Sequence, residues 1–273
     1  MGRIVVGYDF SAGSAKAVGL AVDIANRWRC DLRLVYVSER YEDEVPLREE
    51  IERRVSELAM GMKEGRMEYV VRQGSPAEEL AAQAEADRAE LLVVGTHGMS
   101  GLKTNLLGRN SYRTIERSAV PVLIVREDFD FNKDLERIVV PIDSSEETRQ
   151  KVGEAAMFGR TFGSVLHVVG LYSSGAKETH RTVDTYVQNV ERYLERMGVR
   201  FESRRREVER NVAADTLAYA SEVGADMVVI MTEQERHLSN LLLGTYAQQI
   251  INQATMPVLT VRPKQVMTEN SNY

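Results

Sequence analysis

Apolar residues along the chain fall into two alternating kinds of run. Ile4-Val5-Val6-Gly7 is short, unbroken and β-branched, the pattern of a strand buried on both faces. Residues 32–37, 67–71, 91–94 and 121–125 repeat that character. Between them the apolar positions space out to the helical period. Ala15, Val18, Val22, Ala25 and Trp28 predict a helix from Ser14 onward, and Leu47, Ile51, Val55, Leu58 and Met62 a second. Ser75-Pro76-Ala77-Glu78 reads as a helix start, with Pro in the first turn and a capping-box glutamate. A fourth helix is expected over residues 112–118. The order β-α-β-α-β-α-β-α-β calls for a parallel sheet with helices on both faces.

The pattern then starts again. Arg3-Ile4-Val5-Val6-Gly7-Tyr8-Asp9 returns as Arg137-Ile138-Val139-Val140-Pro141-Ile142-Asp143, an offset of 134. Ala119-Val120-Pro121-Val122-Leu123-Ile124-Val125 returns as Thr255-Met256-Pro257-Val258-Leu259-Thr260-Val261, and Leu106-Leu107-Gly108 as Leu242-Leu243-Gly244, both at 136. A period this long is a whole domain written twice. The expected boundaries are 1–128 and 135–264, with a tail at 265–273 and the seam near residues 127–133. In the second copy, strands are expected at 138–142, 165–171, 199–203, 227–231 and 257–261. Val183, Val187, Val190, Leu194 and Met197 mark its clearest helix.

Composition narrows the functional classes. The 273 residues carry 41 Asp+Glu against 35 Lys+Arg, a net charge of −6, which argues against a generally basic nucleic-acid binder. The run Arg204-Arg205-Arg206 is flanked by Glu202, Glu207 and Glu209, so it reads as a solvated strand end. A single cysteine, Cys30, excludes an intrachain disulfide framework and fits a reducing, cytoplasmic compartment; it reads as an inert small hydrophobe. The first apolar run is too short for a signal peptide, and none approaches the roughly 20 residues of a membrane span, so no membrane partner is expected. The four histidines and the cysteine lack metal-ligand spacing.

In a doubly wound sheet, ligands bind at the carboxyl ends of the central strands, where strand order reverses. Strand one ends in Gly7-Tyr8-Asp9-Phe10-Ser11, and strand four in Gly95-Thr96-His97-Gly98. Gly95 and Gly98 let the backbone turn sharply and come close to a bulky ligand. Gly108 precedes a helix whose amides suit a phosphate, with Lys103, Arg109 and Arg113 nearby. These features point to a phosphorylated ligand across the tips of strands one and four. The alternative, turn glycines with no ligand, explains either glycine taken singly. Neither G-x-x-x-x-G-K-[ST] nor G-x-G-x-x-G after strand one occurs, which disfavours a P-loop NTPase and a dinucleotide fold.

Gly95-x2-Gly98-x9-Gly108, Asp9 after strand one and the closing run 119–125 resemble the ATP-binding universal stress proteins, whose signature is G-x2-G-x9-G-[ST]. The resemblance covers nearly the whole chain as two copies. It implies an α/β fold of two tandem Rossmann-like (adenine nucleotide alpha hydrolase-like) domains. Each would hold a five-stranded parallel sheet in the order 3-2-1-4-5, with closing strands pairing between domains into an internal pseudo-dimer; a homodimer stays open. The resemblance implies ATP or AMP as ligand, with Mg²⁺ an optional companion of the phosphates. Asp9 and Val37 would flank the adenine with Tyr8 close by, Gly95 would approach the ribose, and Gly98, Lys103, Gly108, Arg109, Asn110 and Ser111 would surround the phosphates. His97 would pack in the same loop; catalysis by it is the weaker reading, and no nucleophile–base set can be assembled.

Two departures matter. Arg109 stands where the family has Ser or Thr; a guanidinium can grip phosphate, and Ser111 is the nearest hydroxyl. In the second copy the two earlier glycines become Met231 and Gln234, with Glu233 and Glu235 added, while Asp143, Gly244 and Thr245 remain. One nucleotide per chain is therefore expected, in the first domain, within a stress or signalling protein whose occupancy changes its shape or partners. The alternatives are a slow ATP hydrolase or phosphotransferase, and a ligand-free interaction protein.

Overall fold

The computed structural model describes residues 2–38, 44–96, 108–127, 129, 134–172, 177–232 and 243–263. The first domain runs β1 (Arg3–Gly7), α1 (Ala12–Trp28), β2 (Asp31–Ser38), α2 (Glu44–Ala59), β3 (Met67–Gln73), α3 (Pro76–Ala86), β4 (Leu91–Gly95), α4 (Arg109–Arg117) and β5 (Val122–Val125). The second runs β6 (Arg137–Ile142), a 3₁₀ turn (Glu146–Arg149), α5 (Val152–Phe162), β7 (Val165–Tyr172), α6 (Lys177–Met197), β8 (Phe201–Glu207), α7 (Val212–Glu222), β9 (Met227–Met231), α8 (Thr245–Gln253) and β10 (Val258–Val261).

One ten-stranded sheet spans both, in the order β3-β2-β1-β4-β5-β10-β9-β6-β7-β8. Each half thus follows 3-2-1-4-5, and every pairing is parallel except that of β5 with β10. The unbroken apolar strands serve two cores at once. In β4, Leu91 and Val93 face the layer of α1, α2, α5 and α6, while Leu92 and Val94 face that of α3, α4, α7 and α8. Cys30 is buried, and burial pushes its thiol up to about 11, consistent with an inert packing residue.

The halves are sealed on three levels. In the sheet, Leu123 pairs with Leu259, and the Thr260 hydroxyl donates to the Val122 carbonyl at 3.1 Å. On one face, the Trp28 indole donates to the Thr161 hydroxyl at 2.8 Å and packs edge-on against Phe158. Arg27 lies over the Phe162 ring and bonds Asp134 at 2.5 Å. On the other face, Glu116 of α4 accepts the amide of Leu243, just ahead of α8, at 3.2 Å.

Several local expectations need correction. β8 begins at Phe201, because Gly198 (φ 65°) ends α6 in the left-handed region and Val199 donates back to the Leu194 carbonyl. Val199 is the apolar contact of that cap, and the charged residues 204–207 lie inside an edge strand. The arginines find their acids on helices: Arg205 bonds Asp184 and Glu191, and Arg206 bonds Glu222. At α3 the Ser75 side chain makes no capping bond. Its backbone carbonyl takes the amides of Glu78 and Glu79, while the Glu78 carboxylate pairs with Arg117 at 3.0 Å. α4 starts three residues early, at Arg109, directly after Gly108.

Candidate functional site

The tip of β1 is organised by Asp9. Its Oδ1 accepts the Ser11 amide at 3.1 Å and the Ser11 hydroxyl at 2.6 Å, and its own amide donates to Ser14 Oγ at 3.3 Å. Ser11 caps α1 by accepting the Ser14 amide. Between them Phe10 sits at φ 65°, a left-handed conformation that costs a non-glycine residue energy. The Phe10 ring is held between Tyr8 (5.1 Å) and Tyr36 (5.4 Å). Burial raises the Tyr8 hydroxyl pKa, with Arg54 opposing. Tyr8 belongs to the α1/α2 side and Val37 packs on the opposite face, so the two lie on different sides of the sheet.

The tip of β4 lies against this turn. A Cβ on Gly95 would stand 2.9 Å from the Gly13 carbonyl carbon and 3.1 Å from the Ser14 amide. The first turn of α1 therefore needs a bare Cα at Gly95. Thr96 donates to the Val125 carbonyl, and Gly108 donates back to the Thr96 carbonyl at 2.8 Å, holding the start of α4 against the end of β4. Ser111 Oγ donates to the Gly95 carbonyl at 2.8 Å, tying α4 to the strand end. Arg109 and Asn110 are exposed in the first turn of α4, where unpaired amides and the helix dipole favour an anion. Asp9, Gly95, Gly108 and Ser111 thus lie at the tips of β1 and β4, the switch point outside which an open α/β sheet leaves a crevice. His97, Gly98 and Lys103 lie outside the described residues.

The second domain keeps the frame and fills it. Asp143 Oδ1 accepts the Ser145 amide (2.9 Å) and hydroxyl (2.6 Å), repeating the Asp9–Ser11 turn, and Gly244 donates to the Thr232 carbonyl. Gly13 has become Glu147 and Gly95 has become Met231, whose side chain is buried. The helix start gives way accordingly: the residues matching 12–17 form a 3₁₀ turn and Lys151, and α5 begins only at Val152. Lys151, only 2% exposed, stands where the first domain has Ala17. Its ammonium donates to the Thr148 carbonyl (2.6 Å) and hydroxyl (3.1 Å). Burial lowers its pKa to about 8, against the favourable charge of Asp143. Tyr246, at the place of Asn110, buries its hydroxyl beside Thr216, and burial raises its pKa. Glu233, Gln234 and Glu235 lie outside the described residues.

Gly13, Lys151 and Tyr246 belong to these tips without any motif that marks them. The signal for all three was present in the alignment of the two copies: glycines lost in pairs, and a lysine and a tyrosine gained at the same tips. Among the described residues no cluster of three His, Cys, Asp or Glu is placed to hold a metal ion, and no helix is long and apolar enough to cross a membrane.

Two α/β halves of order 3-2-1-4-5, joined through antiparallel closing strands, with a crevice at each β1/β4-type switch point, define a tandem Rossmann-like protein. The chain belongs to the universal stress protein family, whose sequence model matches residues 1–126 and 135–262. It is 31% identical over 147 residues to universal stress protein YxiE of Bacillus subtilis (strain 168), covering 45% of this chain and 98% of that relative. A universal stress protein from Archaeoglobus fulgidus DSM 4304 shares the fold along the tandem length. Its TM-score is 0.77 at 19% identity, covering 95% of this chain and 98% of that one. A putative universal stress protein from Pseudomonas aeruginosa UCBPP-PA14 gives 0.67 at 17% identity, covering 96% and 93%.

Proposed function

We propose that this chain is a nucleotide-responsive universal stress protein that binds one ATP or AMP, in the first domain. The observation carrying this reading is the contrast between the two crevices. In the first, Gly13 and Gly95 bring α1 and β4 together, with Asp9 at the tip of β1 and Arg109, Asn110 and Ser111 in the first turn of α4. In the second, Met231 stands in place of Gly95 and Glu147 in place of Gly13, and Lys151 is buried where the first domain has Ala17. On this reading Asp9 and Val37 flank the base with Tyr8 close by, Gly95 meets the ribose, and Gly98, Lys103, Gly108, Arg109, Asn110 and Ser111 hold the phosphates, with His97 packing in the same loop. The fork of Arg109 suits phosphate oxygens, although it lacks the hydroxyl the family places there. The phosphates leave room for Mg²⁺. Occupancy changes shape or partners in a cytoplasmic stress or signalling response.

Calorimetric titration with ATP and with AMP tests this. One site per chain is expected, lost in Gly98→Trp. Two equivalent sites, or none, would sink it. Mass spectrometry of a heat extract of the purified protein identifies the nucleotide it carries.

A further inference from the structure

The two crevices are linked through α4. Its N-terminal end is tied to the end of β4 in the first domain, where the Gly108 amide bonds Thr96 and Ser111 bonds Gly95. One and two turns further along, the same helix reaches the other domain. Glu116 accepts the backbone amide of Leu243, the residue that ends the corresponding loop and precedes α8. The Leu243 carbonyl is taken by Gln248 Nε2 at 2.6 Å, and Gln248 also hydrogen-bonds the Tyr112 hydroxyl of α4. Leu243 is 3% exposed, so both its peptide groups are held within a packed setting. The nine helical residues of α4 span about 13 Å from one site to the other.

We propose that α4 is a coupling bar, transmitting nucleotide occupancy of the first crevice to Leu243 at the loop end of the second through the Glu116 carboxylate. The proposal rests on the nucleotide reading of the first crevice. An anion docked on the first amides of α4 bears on a helix whose far half is anchored to Leu243. Any displacement or stiffening of that helix changes how well Glu116 holds the Leu243 amide. Tyr112 and Gln248 occupy equivalent positions in the two copies, so they meet across the pseudo-twofold. Glu116 has the neutral Asn252 as its counterpart, so the two copies differ in charge at this position. The second crevice, filled from within, then acts as the receiver of a signal generated in the first.

The test follows hydrogen exchange at the Leu243 amide in the full chain, free and saturated with ATP, in wild type, Glu116→Ala and Glu116→Gln. ATP binding is measured alongside by calorimetry. In wild type, ATP is expected to change Leu243 exchange by about 5-fold or more, the lower range of measured couplings. Glu116→Ala should abolish that response and speed exchange of the free protein by about 5-fold, the equivalent of one hydrogen bond. Glu116→Gln keeps an acceptor oxygen and should restore the response. Because coupling is reciprocal, Glu116→Ala should weaken ATP binding by no more than the factor lost at Leu243. ATP binding with no change at Leu243, or a change that persists in Glu116→Ala, overturns the coupling while leaving the nucleotide reading intact. Absence of ATP binding overturns the reading beneath it, and the coupling with it.

Discussion

Leu123 pairs with Leu259, its own counterpart in the repeat, so the pseudo-twofold of the molecule passes through this antiparallel contact. A residue that meets its own equivalent is what a closed twofold interface requires. A fragment of residues 1–126 exposes the β5 edge and the α1 and α4 surfaces that the second domain covers. Such a fragment is expected to self-associate with Leu123 against Leu123. Light scattering after size exclusion should give the mass of a dimer, and Leu123→Lys should return it to a monomer.

Gly95→Ala places a methyl group 2.9 Å from backbone that cannot easily retreat. A loss of about 1–3 kcal/mol is expected, the cost of overpacking a tight site. Chemical denaturation of the two proteins side by side gives the difference; an unchanged midpoint would mean that α1 can shift without cost.

Lys151 carries a pKa near 8 in the fold against an ordinary value of 10.5. The unfolded chain therefore binds more protons between those pH values, and this group's contribution to stability rises as pH climbs from 8 to 10.5. The gap corresponds to about 3 kcal/mol in order of magnitude. Lys151→Met is expected to be more stable than wild type at pH 7, with the difference shrinking above pH 8. Other groups titrate in this range, so the measured quantity is wild type minus variant at each pH.

His167 lies in β7 with a buried, unpartnered Nδ1, 3.9 Å from the Glu202 carboxylate. Burial lowers its pKa, Glu202 opposes this, and Arg137 and Arg204 add to the lowering. The unfolded chain then takes up a proton that the folded chain refuses. Stability should fall as pH drops through about 6.5, the ordinary histidine value, towards the lower folded one. His167→Leu should flatten that part of the stability profile; an unaltered slope would assign the acid sensitivity to carboxylates.

Much of this architecture was readable before any coordinates. Unbroken runs such as Ile4-Val5-Val6 announce strands served by two cores, and the four- and three-residue steps from Val183 to Leu194 announce a helix whose stripe is buried in full. Strand order came from the family resemblance, since periodicity carries no information about which strands are neighbours. Residues 199–203 misled because a buried valine after a helix looks the same whether it caps the helix or opens a strand. The crevice was legible in its glycines but not in their reason. That Gly95 answers to Gly13 depends on two segments eighty residues apart. Contacts such as Trp28 with Thr161 and Glu116 with Leu243 join elements from different copies and leave no local trace.

The stretch between β5 and β6 turns an association between two bodies into a single molecule. Separate partners fall apart as they are diluted, whereas tethered ones face each other at a fixed, roughly millimolar local concentration. The paired halves therefore stay assembled at any expression level, even a few copies per cell. A substitution now also alters one half only, which is how Lys151 can stand opposite Ala17. Two identical chains cannot divide their labour in this way.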